Sequence, residues 1–143
     1  MNNFEKAVEF TLQFEGEGGE ASPGDPGGLT KWGISQRSHP NLDIANLTRE
    51  QAIEIYRTEY WDRLRCDRLP ARFDVAMFDT AVNVGCGRAE SWVSAGSFLW
   101  QDLLLRRVAH YVALAQGTTY FRGILFGLLR RVCALATLCR SMQ

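Results

Sequence analysis

The chain has little that would support metal, nucleotide or redox chemistry. Its 143 residues include two histidines, His39 and His110, far apart and with no His/Cys/Asp grouping around either, so a metal site or a histidine-based triad has little support. Cys66, Cys86, Cys133 and Cys139 form no CxxC pair, which argues against a zinc ribbon and a thioredoxin-like motif. Their simplest reading is four buried or free thiols; disulfides would be permitted outside the cytoplasm, but pairing is not legible in the spacing. The glycine-rich stretch lacks the GxxxxGK[ST] spacing of a phosphate loop. Glu15, Glu17, Glu20 and Asp25 resemble a cation cluster, yet an EF-hand needs Gly at its sixth position and Glu at its twelfth, where Glu20 and Pro26 stand. No cofactor and no nucleic-acid partner are expected.

Long apolar runs are missing too. Residues 123–129 are apolar but are bounded by Arg122, Arg130 and Arg131, far short of the roughly 20 residues of a membrane span. Glu5 and Glu9 interrupt the amino terminus and no apolar stretch follows Met1, so the expectation is a chain made in the cytoplasm without an export signal. Acid is scarce in the last third: beyond residue 93 only Asp102 is acidic, whereas Arg106, Arg107, Arg122, Arg130, Arg131 and Arg140 are basic, although the whole chain balances 16 basic against 16 acidic residues. This asymmetry suggests an anionic partner, a membrane face or a wall polymer; a basic solvated helix face is the alternative.

What is present is helical periodicity around one glycine-rich interruption. The length fits one domain, expected as a monomer. Asn3 reads as an N-cap for a helix carrying Phe4, Ala7, Val8 and Leu12 on one face up to Phe14. Glycines and prolines then crowd residues 16–35, which predicts a loop and a short hairpin with Thr30, Trp32 and Ile34 alternating along its second strand. Thr48 with Gln51 forms a capping box for a helix from about residue 48 to 61. Pro70 opens a buried central helix through Phe73, Met77, Ala81 and Val84, ended by Gly85 and Gly87. Beyond Ser97, Trp100, Leu103, Leu104, Val108, Tyr111 and Val112 mark an amphipathic helix, and Gly117 separates it from another running from Tyr120 through Val132.

The chemistry concentrates where the first helix ends. Glu15, a carboxylic acid fixed at a helix terminus, faces a turn carrying a second carboxylate, Asp25, and a hydroxyl, Thr30. Such a set can cut a glycosidic bond: one group protonates the leaving oxygen while the others hold water on the opposite face of the sugar. Packing against Phe14 would strip water from Glu15 and favour its protonated form. Glu17 is the rival acid, within the glycine run. Asp25 either serves the water, at a carboxylate separation of about 6.5 to 9.5 Å for inversion, or caps backbone amides of its turn. Thr30 either fixes the same water or is an ordinary strand residue. Trp32, Tyr60 and Trp61 either line a sugar cleft or belong to the core. Asn83 either reaches that cleft or closes its own helix.

Phe14-Glu15-Gly16, Asp25-Pro26-Gly27-Gly28 with Thr30, and Trp32-Gly33-Ile34-Ser35 together resemble the start of glycoside hydrolase family 108, the N-acetylmuramidase endolysins. The likeness continues through Tyr60-Trp61-Asp62 and Phe78-Asp79-Thr80-Ala81-Val82-Asn83. The family usually places its acid nine residues before the Asp of the DPGG turn; here Glu15 is ten before it. The resemblance implies a mainly α, α+β lysozyme-like domain with a small β-hairpin lobe. It also implies hydrolysis of the β-1,4 bond between N-acetylmuramic acid and N-acetylglucosamine, with peptidoglycan glycan strands as partner. Residues 1–93 are expected to form the catalytic region, and residues 94–143 cationic helices packing on it, where the family usually carries a longer peptidoglycan-binding-like segment. A phage lysis role is implied, in the periplasm after release with a holin or another lysis partner. The rival classes are a noncatalytic wall-binding accessory and a membrane-active protein.

Overall fold

The computed structural model describes residues 2–18, 28–93 and 99–142. The first helix, α1 (Asn3–Glu15), starts one residue earlier than its sequence suggests. Asn2 is the cap: its side chain accepts from the Glu5 amide while the Glu5 carboxylate accepts from the Asn2 amide, a reciprocal capping box. Gly16, at φ 69°, ends the helix and donates its N–H to the Leu12 carbonyl, which leaves Glu15 as the last helical residue.

The hairpin consists of β1 (Thr30–Lys31) and β2 (Ile34–Ser35), antiparallel with Thr30 opposite Ser35. Gly18 bridges Lys31 on the other side, so the chain leaving α1 forms a third edge. Trp32 therefore does not alternate along a strand with Thr30 and Ile34. It sits in the turn with Gly33, both at positive φ (53° and 79°), the geometry of a two-residue hairpin turn that matches the strand twist.

A 3-10 turn (Ile44–Asn46) leads to α2 (Arg49–Tyr56), capped by Thr48 and Gln51 as their spacing predicts. The helix widens into a π-helical segment, Arg57–Asp62, so its full extent agrees with the periodicity. Helix α3 (Phe73–Val84) begins after Arg72 rather than at Pro70, whose carbonyl accepts from the Asp74 amide. Every residue from Phe73 to Ala81 is buried, which makes α3 the axis of the domain. Gly85 ends it at φ 89°, but Gly87 does not: it lies in the first turn of a further helix, α4 (Cys86–Val93).

The remaining helices, α5 (Trp100–Gly117) and α6 (Thr119–Ser141), form a long antiparallel pair that lies against α3. Leu103, Leu104 and Tyr111 of α5 and Val132, Leu135 and Cys139 of α6 join one continuous core with Phe4, Tyr56, Trp61 and Phe78. The four cysteines are free thiols, three buried and Cys133 exposed.

Candidate active site

Asp79 is the unusual residue of α3: a carboxylate with no exposed surface in the middle of an apolar helix. An isolated buried charge would be prohibitive, so partners must come from elsewhere. Arg107 of α5 donates from Nη1 to Asp79 Oδ2 at 2.7 Å, and Arg131 of α6 donates from Nη2 to Oδ1 at 2.7 Å. Thr11 of α1 donates its hydroxyl to the same Oδ1 at 2.8 Å. Burial pushes the Asp79 carboxyl up, but the two guanidiniums and their hydrogen bonds outweigh it and hold it down at about 2.

Arg131 has a second carboxylate. Its Nη1 donates to Glu15 Oε1 at 2.6 Å while its guanidinium lies 5.5 Å from the centre of the Phe14 ring. Glu15 is thus tied through one arginine to the buried anion of the central helix, rather than surrounded by apolar neighbours alone as the sequence suggests. Burial opposes charge on Arg131, but Asp79 and then Glu15 raise its pKa above the usual arginine value. The Glu15 side chain keeps a quarter of its surface open, so a ligand can reach it; that of Arg131 keeps 7%.

The hairpin turn closes the other side of Glu15. A Cβ on Gly33 would lie 2.7 Å from Glu15 Cγ and would overlap the Tyr56 hydroxyl. Only glycine permits this approach, and its positive φ suits the turn as well. The Tyr56 hydroxyl donates to the Trp32 carbonyl at 2.9 Å, which fastens the turn to α2. Burial raises the Tyr56 and Tyr60 hydroxyls above the usual phenol range, with the Glu15 charge adding to both.

Of the residues singled out in the sequence, Glu15, Trp32 and Tyr60 come together here. Tyr60 is half-buried, its ring 5.8 Å from that of Tyr56. Thr30 lies half-buried on β1, one residue pair back from the turn. Asn83 accepts at Oδ1 a hydrogen bond from the Tyr111 hydroxyl, which in turn accepts from Arg107 Nε at 2.6 Å. With Phe14, Ile124, Leu128 and Arg131, Asn83 lines a cleft of about 310 Å³ beside the ion pair. Trp61 does not line a cleft. It is 1% exposed, packed edge-on against Phe4 and Phe78, and donates Nε1–H to Asp67, so its ring has no free face for a sugar. Glu17 is exposed and its carbonyl accepts from the Trp32 amide. Asp25 lies outside the described residues.

Arg131, Asp79, Arg107 and Tyr111 were not assigned to the site from sequence. A signal existed: Asp79 interrupts a buried apolar face, and Arg107 and Arg131 fall on the apolar faces of their own helices, Arg107 one turn before Tyr111 and Arg131 one turn before Leu135. Two of the six arginines of the last fifty residues are therefore interior groups and not surface charge.

A family model for glycosyl hydrolase 108 matches residues 8–85, more than half of the 143 residues, and spans Glu15, the hairpin, Asp79 and Asn83. No curated protein matches the chain. Among solved structures, SagA of Brucella abortus is similar over 96% of both chains at a TM-score of 0.74; at 24% sequence identity this likeness speaks for the fold alone, which is lysozyme-like with a small hairpin lobe. The chain belongs to the glycosyl hydrolase 108 family and is a glycoside hydrolase, with peptidoglycan the substrate class the family carries.

Proposed function

We propose that the protein is an N-acetylmuramidase that hydrolyses the β-1,4 bond between N-acetylmuramic acid and N-acetylglucosamine during bacterial cell lysis, with Glu15 as the general acid. The observation that carries this reading is the clamping of Glu15. It ends α1, meets the Trp32-Gly33 turn on one side and Arg131 on the other, and remains open to solvent on a third. A general acid needs such fixed placement against the leaving oxygen more than it needs any particular fold.

Proton donation requires that Glu15 first hold a proton. Protonated Glu15 loses the charge half of its pairing with Arg131, while Asp79 continues to hold the arginine through three of its hydrogen bonds. The guanidinium thus stays in place whichever state Glu15 adopts, and after transfer it meets the new carboxylate again. Asp25, outside the described residues, and Thr30 serve the water on the opposite face of the sugar, the sequence between them including Gly27 and Gly28. Trp32, Tyr60 and Asn83 border the approach to Glu15.

The test compares two amides. Glu15→Gln keeps the shape of the side chain but has no proton to donate, so turnover on purified peptidoglycan should fall by about 10² to 10⁴-fold while the thermal melt stays cooperative and within a few degrees of wild type. Glu17→Gln should leave turnover near wild type. The opposite pattern would move the acid to Glu17.

A further inference from the structure

The first half of α6 has an apolar surface that the domain does not use. The second half of the helix buries Val132, Leu135 and Cys139, whereas Tyr120 is 68% and Phe126 82% exposed. Arg122, Phe126 and Arg130 follow one another at four-residue intervals and so form one stripe along the helix, an aromatic ring between two guanidiniums, all three exposed. Next to this stripe lie Gly123 and Gly127, where an added Cβ would meet nothing within 4 Å. Beyond them come Tyr120 and Ile124, also exposed, and on this side Ile124, Gly127 and Arg130 form the rim of the cleft beside the ion pair, so the face adjoins the site. The opposite face, with Leu125 and Leu128, turns toward the core.

Charge selects the kind of surface that could meet this face. No acidic residue follows Asp102, and Arg107 and Arg131 are neutralised internally by Asp79 and Glu15. The outward arginines Arg106, Arg122, Arg130 and Arg140 therefore give the α5–α6 pair a positive exterior. No helix among the described residues is long and apolar enough to cross a membrane. An apolar ring flanked by guanidiniums on a helix too polar to span is the pattern of a helix lying in the headgroup plane, with the rings in the acyl boundary and the cations among the phosphates.

We infer that the Tyr120–Arg130 face of α6 docks the enzyme on an anionic lipid bilayer through Phe126 and Tyr120, with Arg122 and Arg130 at the headgroups. This role is independent of the assignment of Glu15. It concerns the surface on which the enzyme waits or works, and Phe126 and Arg122 take no part in the catalytic arrangement.

Vesicle flotation of the full-length protein tests the inference, using phosphatidylglycerol/phosphatidylcholine vesicles against vesicles of phosphatidylcholine alone. Wild type should float with the anionic vesicles and not with the neutral ones. Phe126→Ser should weaken the partition by about tenfold, since it removes one ring's worth of apolar burial, and Arg122→Ser by about fivefold. Both variants should keep the wild-type melt and the wild-type rate on purified peptidoglycan, because neither side chain packs in the core. Absence of flotation, or flotation that Phe126→Ser leaves unchanged, would overturn the inference. Equal retention of wild type and Phe126→Ser on an immobilised soluble polyanion, without vesicle binding, would assign the arginines to a wall polymer and overturn it as well.

Discussion

Arg131 is the residue on which stability and the site meet. Arg131→Met would leave Asp79 fully buried with Arg107 as its one remaining guanidinium, and removing one member of a buried ionic cluster costs about 3 to 5 kcal/mol. Glu15→Gln breaks only the partly exposed arm of the same cluster, so its cost should stay within about 1 kcal/mol. Urea unfolding of the two variants should show this contrast; equal destabilisation would mean that Glu15, rather than Asp79, anchors the arginine. Asp79 also predicts a pH signature. Its folded pKa of about 2 lies below the unfolded value of about 3.9, so the unfolded chain binds more protons between them. The stabilisation is full above about pH 4 and is lost as pH falls toward 2. The stability gap between wild type and Asp79→Asn should close over that interval, and a gap independent of pH would contradict the assignment. Gly33→Ala should cost about 1 to 3 kcal/mol and most of the activity, because its methyl would meet Glu15 and Tyr56. Gly87→Ala, where a methyl meets nothing, is the matched control and should be neutral or slightly stabilising.

At the scale of elements, the dependence runs from the last helices back to the first. Helices α5 and α6 supply both guanidiniums that neutralise Asp79 and a share of the core around α3. A chain ending at Val93 would therefore expose the apolar surface of α3 and strand a buried carboxylate. It should be insoluble or lack a cooperative melt. A soluble fragment of residues 1–93 with a sharp transition and full activity would show that α5 and α6 are dispensable. The elements differ in how far local sequence specified them. Helix α2 was legible because Thr48 and Gln51 satisfy its first amides by themselves, and α3 because Phe73, Met77, Ala81 and Val84 recur at helical spacing and need burial. Helix α4 was not, since Gly87 reads as a terminator and only the backbone reveals that Gly85 alone takes the positive φ. Trp32 misled for the same kind of reason: alternation with Thr30 and Ile34 is a valid strand pattern, and a tryptophan at φ 53° is a conformation that propensity disfavours.

For the whole molecule, the place of Glu15 at the end of α1 could be read from local sequence, because cap, turn and glycine chemistry act over a few residues, whereas the lysozyme-like architecture followed from the family resemblance of the ordered motifs and not from periodicity. The long-range ionic cluster could not. Arg131 lies 116 positions from Glu15 and 52 from Asp79, separations at which no local pattern pairs residues. Trp61 shows the same limit from the opposite direction, since a ring beside Tyr60 can face a cleft or the core, and only the packing of Phe4 and Phe78 decides for the core. The central claim concerns the bond that this assembly cuts. Digestion of purified peptidoglycan, followed by borohydride reduction and mass spectrometry of the fragments, reads the new reducing end directly. The account predicts fragments ending in reduced N-acetylmuramic acid, formed by wild type and nearly absent with Glu15→Gln. Fragments ending in reduced N-acetylglucosamine or in anhydromuramic acid, or undiminished cleavage by Glu15→Gln, would contradict it.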